Sequence, residues 1–190
     1  MVGRATFALH TYRKPTNSMK NILFLLGTAR EGRMSERVAR FVVRCAKERG
    51  DIDVAFVDVA DFSQSKTKGN SVAEEAWDAF LQKADGLVII SPEYNHGYPG
   101  ELKLFLDNAY EAYAGKPVAI CGVSNGSVGG ARMAEQLKLV LSAFQMIVIN
   151  AAVYFVNVDE HFDDSGNTNA MDLWKKKVNG MLDQVIKYSK

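Results

Sequence analysis

From Met19 onward, short and almost wholly apolar runs alternate with stretches whose apolar residues recur at helical spacing. The runs are residues 21–26 (NILFLL), 53–59 (DVAFVDV), 86–91 (GLVIIS), 117–124 (PVAICGVS) and 146–155. Each is the length of a strand, and most lack the polar alternation of a half-exposed one, so they read as strands buried on both faces. Between them, Val38, Phe41, Val42 and Cys45 fall at i, i+3, i+4 and i+7, and Gly50 stops that helix. Val72, Ala76, Ala79, Phe80 and Lys83 mark a second helix, and Leu102, Phe105, Leu106 and Ala109 a third behind Pro99-Gly100. Met133, Leu137, Val140, Leu141 and Phe144 line a fourth; beyond a polar loop at 163–169, Trp174, Val178, Met181, Leu182 and Val185 line the last.

Strands that alternate with helices predict a parallel sheet covered on both faces, with right-handed crossovers. Five units fit the flavodoxin-like order 2-1-3-4-5, a three-layer α/β sandwich, better than a two-half dinucleotide fold built on six strands. A chain of 190 residues has room for one such domain, at 19–190.

Residues 1–18 stand apart, with Arg4, Arg13 and Lys14 and no acid. Their apolar run, 5–9, is shorter than a secretory core of ~7–15 residues. They read as an N-terminal extension outside the fold, with Met19 as the functional start; a transit peptide is the alternative.

Composition narrows the function classes. Lys and Arg number 23 against 22 Asp and Glu, which leaves nothing in the balance to draw a nucleic acid. No run approaches the ~18 apolar residues of a membrane helix. Cys45 and Cys121 have no ligand-spaced Cys or His beside them, so no metal site is expected, and a reducing, cytoplasmic setting fits better than a disulfide scaffold.

Ligands of such sheets sit beyond the carboxyl ends of the strands, where strand order reverses. Three tips should therefore be unusual in sequence, and they are. After the first strand comes Gly27-Thr28-Ala29-Arg30-Glu31-Gly32-Arg33-Met34-Ser35. Its hydroxyls, its two arginines and the following helix N-terminus make an anion cradle. The spacing of Gly27 and Gly32 matches a nucleotide P-loop, but Arg33-Met34 stand where that loop needs Lys and then Ser or Thr. A metal-dependent receiver domain is also excluded, since Glu31 is the nearest acid.

The second tip, Ser91-Pro92-Glu93-Tyr94-Asn95-His96-Gly97-Tyr98-Pro99-Gly100, is a stiff aromatic loop able to wall a planar ring. Glu93 and His96 suggest an acid–base pair, yet no nucleophile or metal partner stands near them, and they read as loop residues. The third tip runs from Gly122 to Arg132, with Ser124, Asn125 and Gly126 at its start. Four glycines there (122, 126, 129 and 130) are more than a tight turn needs and suggest close backbone approach to a flat ligand.

Together GTAREGR (27–33), PEYNHGYPGELK (92–103) and SNGSVGGAR (124–132) resemble the NAD(P)H-dependent FMN reductase family of flavodoxin-like proteins, which includes quinone, azo-dye and chromate reductases. The resemblance covers about residues 19–160. It implies that Thr28, Arg30, Arg33, Met34 and Ser35 hold the FMN phosphate. Pro92, Glu93, Tyr94, Asn95 and His96 would flank the isoalloxazine, and Ser124, Asn125 and Gly126 would cover its other edge. The chain departs from the family pattern in two places: in the first tip loop, where Arg33 and Ser35 stand where Ser or Asn is common, and at Leu104, where Asn is common.

The implied activity is a ping-pong cycle in which NADPH or NADH delivers hydride to bound FMN and a quinone or similar small acceptor, with azo dyes and chromate possible, then takes its place. Flavin carries such chemistry, so no acid–base catalytic side chain is expected. The rival readings are a flavodoxin-type electron carrier and a non-enzymatic flavin redox sensor or scaffold. A net charge of −2 over 19–190 lacks the acidic docking surface that a carrier uses. The family commonly forms homodimers or tetramers, and Tyr110, Tyr113 and Phe144 are candidates for an apolar flank.

Overall fold

The computed structural model describes residues 19–62 and 71–190, with side chains omitted for 71–73. The expected extension at 1–18 and the Val72 side chain lie outside the described residues. Strand β1 (Lys20–Leu26) pairs with β2 (Ile52–Asp58) on one side and β3 (Gly86–Pro92) on the other. β3 pairs with β4 (Pro117–Val123) and β4 with β5 (Ile147–Val148), every pairing is parallel, and the path is β2-β1-β3-β4-β5. The predicted order stands.

Period-two alternation sorts the core into two layers. Ile22, Phe24 and Leu26, with Val88, Ile90 and Cys121, face helices α1 (Ser35–Lys47) and α6 (Met171–Tyr188). Leu23, Leu25, Leu87, Ile89, Val118 and Ile120 face α2 (Ser71–Lys83), α3 (Gly100–Leu106) and α4 (Ala131–Ala143). All seven residues of β3 and of β4 are buried, as expected for central parallel strands with helices on both faces. On the α2 side, the Trp77 ring packs at 4.8 Å from Phe105, and its Nε1–H donates to the Tyr113 hydroxyl.

The fifth position in the sheet differs in detail from the continuous run 146–155. Two short segments share it: β5 (Ile147–Val148) pairs with the start of β4, and β6 (Val153–Phe155) with its end. Between them the backbone turns at Asn150, whose carbonyl takes the Ala152 N–H at 2.9 Å. A single helical turn, α5 (Val158–His161), follows β6 where the sequence pattern announces no helix.

Two of the three aromatics considered for an apolar flank are core residues. Tyr113 is fully buried, donates to the Leu106 carbonyl at 2.8 Å and stacks on buried Phe144 at 4.6 Å. Only Tyr110 is exposed.

Candidate functional site at the strand tips

Beyond the carboxyl ends of β1, β3 and β4, the three tip loops close around a cavity of about 310 Å³. Backbone pairing carries each tip one residue past its strand: Gly27 donates to Ile90, Glu93 to Val123 and Ser124 to Phe155. The cavity lining includes Arg30, Arg33, Met34, Ser35, Pro92, Glu93, Tyr94, Ser124 and Asn125, nine of the thirteen residues expected at the site.

The strongest chemical signal is at the start of α1. Met34 occupies the N-cap position and supplies no side-chain hydrogen bond to the first turn. Ser35 is 1% exposed, and its Oγ has no hydrogen-bond partner among the described residues. An unpaired buried hydroxyl costs about 1–3 kcal/mol, and the free N–H groups of a first turn favour an anion. Arg30 is exposed at the same mouth, its guanidinium 5.4 Å above the Tyr94 ring. Orphan hydroxyl, uncapped helix start, exposed cation and aromatic wall suit a phosphate joined to a planar ring.

The other expected residues take more specific places. Thr28 is fully buried and donates to Glu101 Oε1 at 2.8 Å; its hydroxyl also meets that of Tyr94 at 3.1 Å. Arg33 turns away from the mouth. Its guanidinium makes a two-pronged pair with Asp58, with Nη1 at 2.8 Å from Oδ1, and Nη1 also donates to the Thr28 carbonyl. Burial pushes the Asp58 carboxyl above its ordinary range, and the hydrogen bonds from Arg33 oppose that shift. Removing either member would strand a largely buried charge at a cost of about 3–5 kcal/mol.

Glu93, with only 6% of its side chain exposed, faces α4 rather than the cavity centre. It pairs with Arg132 Nε at 2.9 Å and accepts the Met133 N–H at 3.3 Å. Asn95 and His96 form a two-residue turn closed by paired hydrogen bonds between Tyr94 and Gly97, both with positive φ, and both are exposed outside the cavity lining. Asn125 joins the first and third tips: its Nδ2 donates to Met34 Sδ at 3.1 Å and its Oδ1 accepts the Asp159 N–H.

The glycines of the third tip need a correction. A side chain at Gly122 would strike the Gly129 carbonyl at 2.5 Å, and one at Gly130 (φ 83°) would strike the Val123 nitrogen at 2.8 Å. Gly129 (φ 59°) lies as tightly on Tyr154. Packing of the loop back onto β4 and β6 explains these three. Gly126 alone is left for approach by a ligand.

Asp58 and Glu101 were missed. They lie 25 and 73 residues from their partners, and no local spacing announces a pairing that only the sheet order creates.

Residues 20–161 match the family described as NADPH-dependent FMN reductase. An NAD(P)H-dependent FMN reductase of Schizosaccharomyces pombe is 35% identical over 138 residues, 67% of this chain and 68% of that one. A quinone reductase of Escherichia coli is 30% identical over 159 residues, 80% of this chain and 85% of that one. Among solved structures, FerB, a flavoenzyme NAD(P)H:(acceptor) oxidoreductase from Paracoccus denitrificans, superposes with a TM-score of 0.75 at 19% identity. That match covers 90% of this chain and all of FerB, and at this identity it speaks to the fold.

Proposed function

This chain belongs to the NADPH-dependent FMN reductase family, oxidoreductases with FMN as cofactor and NAD(P)H as donor, and from that premise we propose that it reduces quinones or similar small acceptors at one site beyond the strand tips. The observation that carries the reading is the buried, unpartnered Ser35 hydroxyl at the uncapped start of α1, on the wall of a cavity where three tips meet.

The residues divide the work. Ser35, the α1 N–H groups and Arg30 would hold the phosphate, with Thr28 and Met34 shaping the loop around it. Pro92 and Tyr94 would wall one side of the isoalloxazine, and Ser124, Asn125 and Gly126 would border its other edge. Glu93 steadies the second tip against α4, and the Asn95-His96 turn keeps Tyr94 in place at the wall. The chemistry that FMN supplies when bound is two-electron redox, oxidation of NAD(P)H followed by reduction of the acceptor in a ping-pong cycle.

Protein groups orient both substrates in this scheme, and none is required to carry a proton between side chains. The fixed dipoles of α1 and the Arg30 charge favour an anionic ligand without rearrangement. Azo dyes and chromate are further acceptors within the same reading, as are a cytoplasmic setting and a homodimer or tetramer.

Steady-state NAD(P)H oxidation with a benzoquinone tests the proposal. The expected result is parallel initial-rate lines as the quinone is varied at several NAD(P)H concentrations. A protein that binds FMN yet does not oxidise NAD(P)H would be a carrier or sensor instead. Arg30→Ala is expected to lower FMN retention through gel filtration, and unchanged retention would remove Arg30 from the cradle.

A further inference from the structure

Asp58 lies on none of the three tips, yet it determines what one of the first tip's two arginines can do. It ends β2, the strand beside β1, and its Oδ1 accepts the Ala60 N–H at 2.9 Å, which fixes the carboxylate's direction. Arg33 meets it with both terminal nitrogens, and Nη1 also donates to the Thr28 carbonyl. The Glu36 carboxylate lies 3.7 Å from Arg33 Nε. The Arg33 and Asp58 side chains are only 11% and 13% exposed.

One guanidinium that serves two carboxylates and a carbonyl brings no surplus positive charge to a ligand. Its planar fork is already spent on Asp58, and a swing toward the cavity would leave that carboxylate without its partner. What the guanidinium does hold is the chain itself. It ties the Thr28 carbonyl at one end of the first tip loop to the end of β2. At the other end Arg33 lies two residues before Ser35, where α1 begins. The pair therefore braces the loop that carries the orphan hydroxyl and the helix N-terminus.

We propose that Asp58 is a positioning residue for the phosphate cradle, acting through Arg33, which is a strut of that cradle and not a phosphate ligand. The inference rests on the proposed FMN site and deepens it: phosphate recognition falls to Ser35, the α1 N–H groups and Arg30, while Asp58 and Arg33 set their geometry.

Comparison of FMN with riboflavin separates positioning of the cradle from general support of the fold, because the two ligands differ only in the phosphate. Dissociation constants for both would be measured by flavin fluorescence quenching on the full chain stripped of flavin. The variants are Asp58→Asn, Arg33→Ala and the double variant, with Arg33→Lys keeping the charge but losing the fork. Each of the two single variants is expected to weaken FMN by about tenfold relative to riboflavin, with the double variant no worse than the weaker single. Arg33→Lys is expected to resemble Arg33→Ala, since an ammonium cannot reproduce the two-pronged contact.

Tighter FMN binding by Asp58→Asn would overturn the proposal by showing that Arg33 is a phosphate ligand held back by Asp58. Multiplying effects in the double variant, near-normal FMN binding by Arg33→Lys, or equal losses for FMN and riboflavin would overturn it too. Failure of the unmodified protein to bind either flavin would instead strike the FMN site beneath it. Where Arg33→Ala does not fold, Asp58→Asn and Arg33→Lys decide the matter.

Discussion

The hydroxyls of Thr28 and Tyr94 meet at 3.1 Å and join the first strand tip to the second. Thr28 donates onward to Glu101 at the start of α3, and the same carboxylate oxygen accepts the Ala29 N–H at 3.1 Å. One buried threonine thus links the first tip loop, Tyr94 of the second and the helix behind them. The contact adds a side-chain tie to the backbone pairing that already joins these tips.

Thr28→Val tests that link with little change of shape. It leaves the buried side of Glu101 and the Tyr94 hydroxyl short of a partner, and the loss in stability is expected at about 1–3 kcal/mol. Urea denaturation of the flavin-free protein measures it. A change within experimental error would mean that the three groups find other partners.

Glu93→Ala addresses the second tip. Loss of the carboxylate removes its bonds to Arg132 and to the Met133 N–H in the first turn of α4, at an expected cost of about 1–2 kcal/mol. The NAD(P)H oxidation rate of the flavin-loaded variant is expected to stay within a few-fold of the parent, because the Glu93 carboxylate is engaged by Arg132 and the Met133 N–H. A collapse of that rate in a stably folded variant would move Glu93 from support to substrate contact.

The two thiols give a prediction about reactivity. Burial, the largest cause, pushes Cys45 up to about 11, and Cys121, wholly buried, is pushed higher still. At pH 8 only about one Cys45 in a thousand is then a thiolate, which is the reactive form. Both thiols are free, so a colorimetric thiol reagent is expected to leave the native protein unlabelled over minutes and to label two groups in denaturant. Fast labelling of the native protein would contradict the burial of these residues.

Local pattern carried the architecture well and the site only in part. Apolar runs locate β1, β3 and β4 to within a residue or two, because a strand covered on both faces has little room for polar residues. Such a run locates the edge strand β2 equally well, although it carries Asp53 and Asp58. The same logic blurred at 146–155, where Asn150 interrupts a run that period alone reads as continuous. Ser35 could be singled out by its place at a helix start after a glycine turn, whereas its want of a hydrogen-bond partner among the described residues depends on packing. For Arg33 the charge suggests a ligand contact, and only the adjacency of β1 and β2 reveals the pair with Asp58. The glycines at 122, 129 and 130 mislead for a related reason: Gly129 is pressed against β6, and Gly122 and Gly130 against each other where the loop folds back onto β4, packing that local spacing does not announce.

An anaerobic titration followed by absorbance tests the central claim most directly. The purified protein, supplied with FMN, is expected to retain the flavin through gel filtration. Its visible bands should bleach on addition of NADPH or NADH and return on addition of a quinone. Bands that persist under both donors would contradict the reductase, and a protein that takes up no FMN would contradict the site itself.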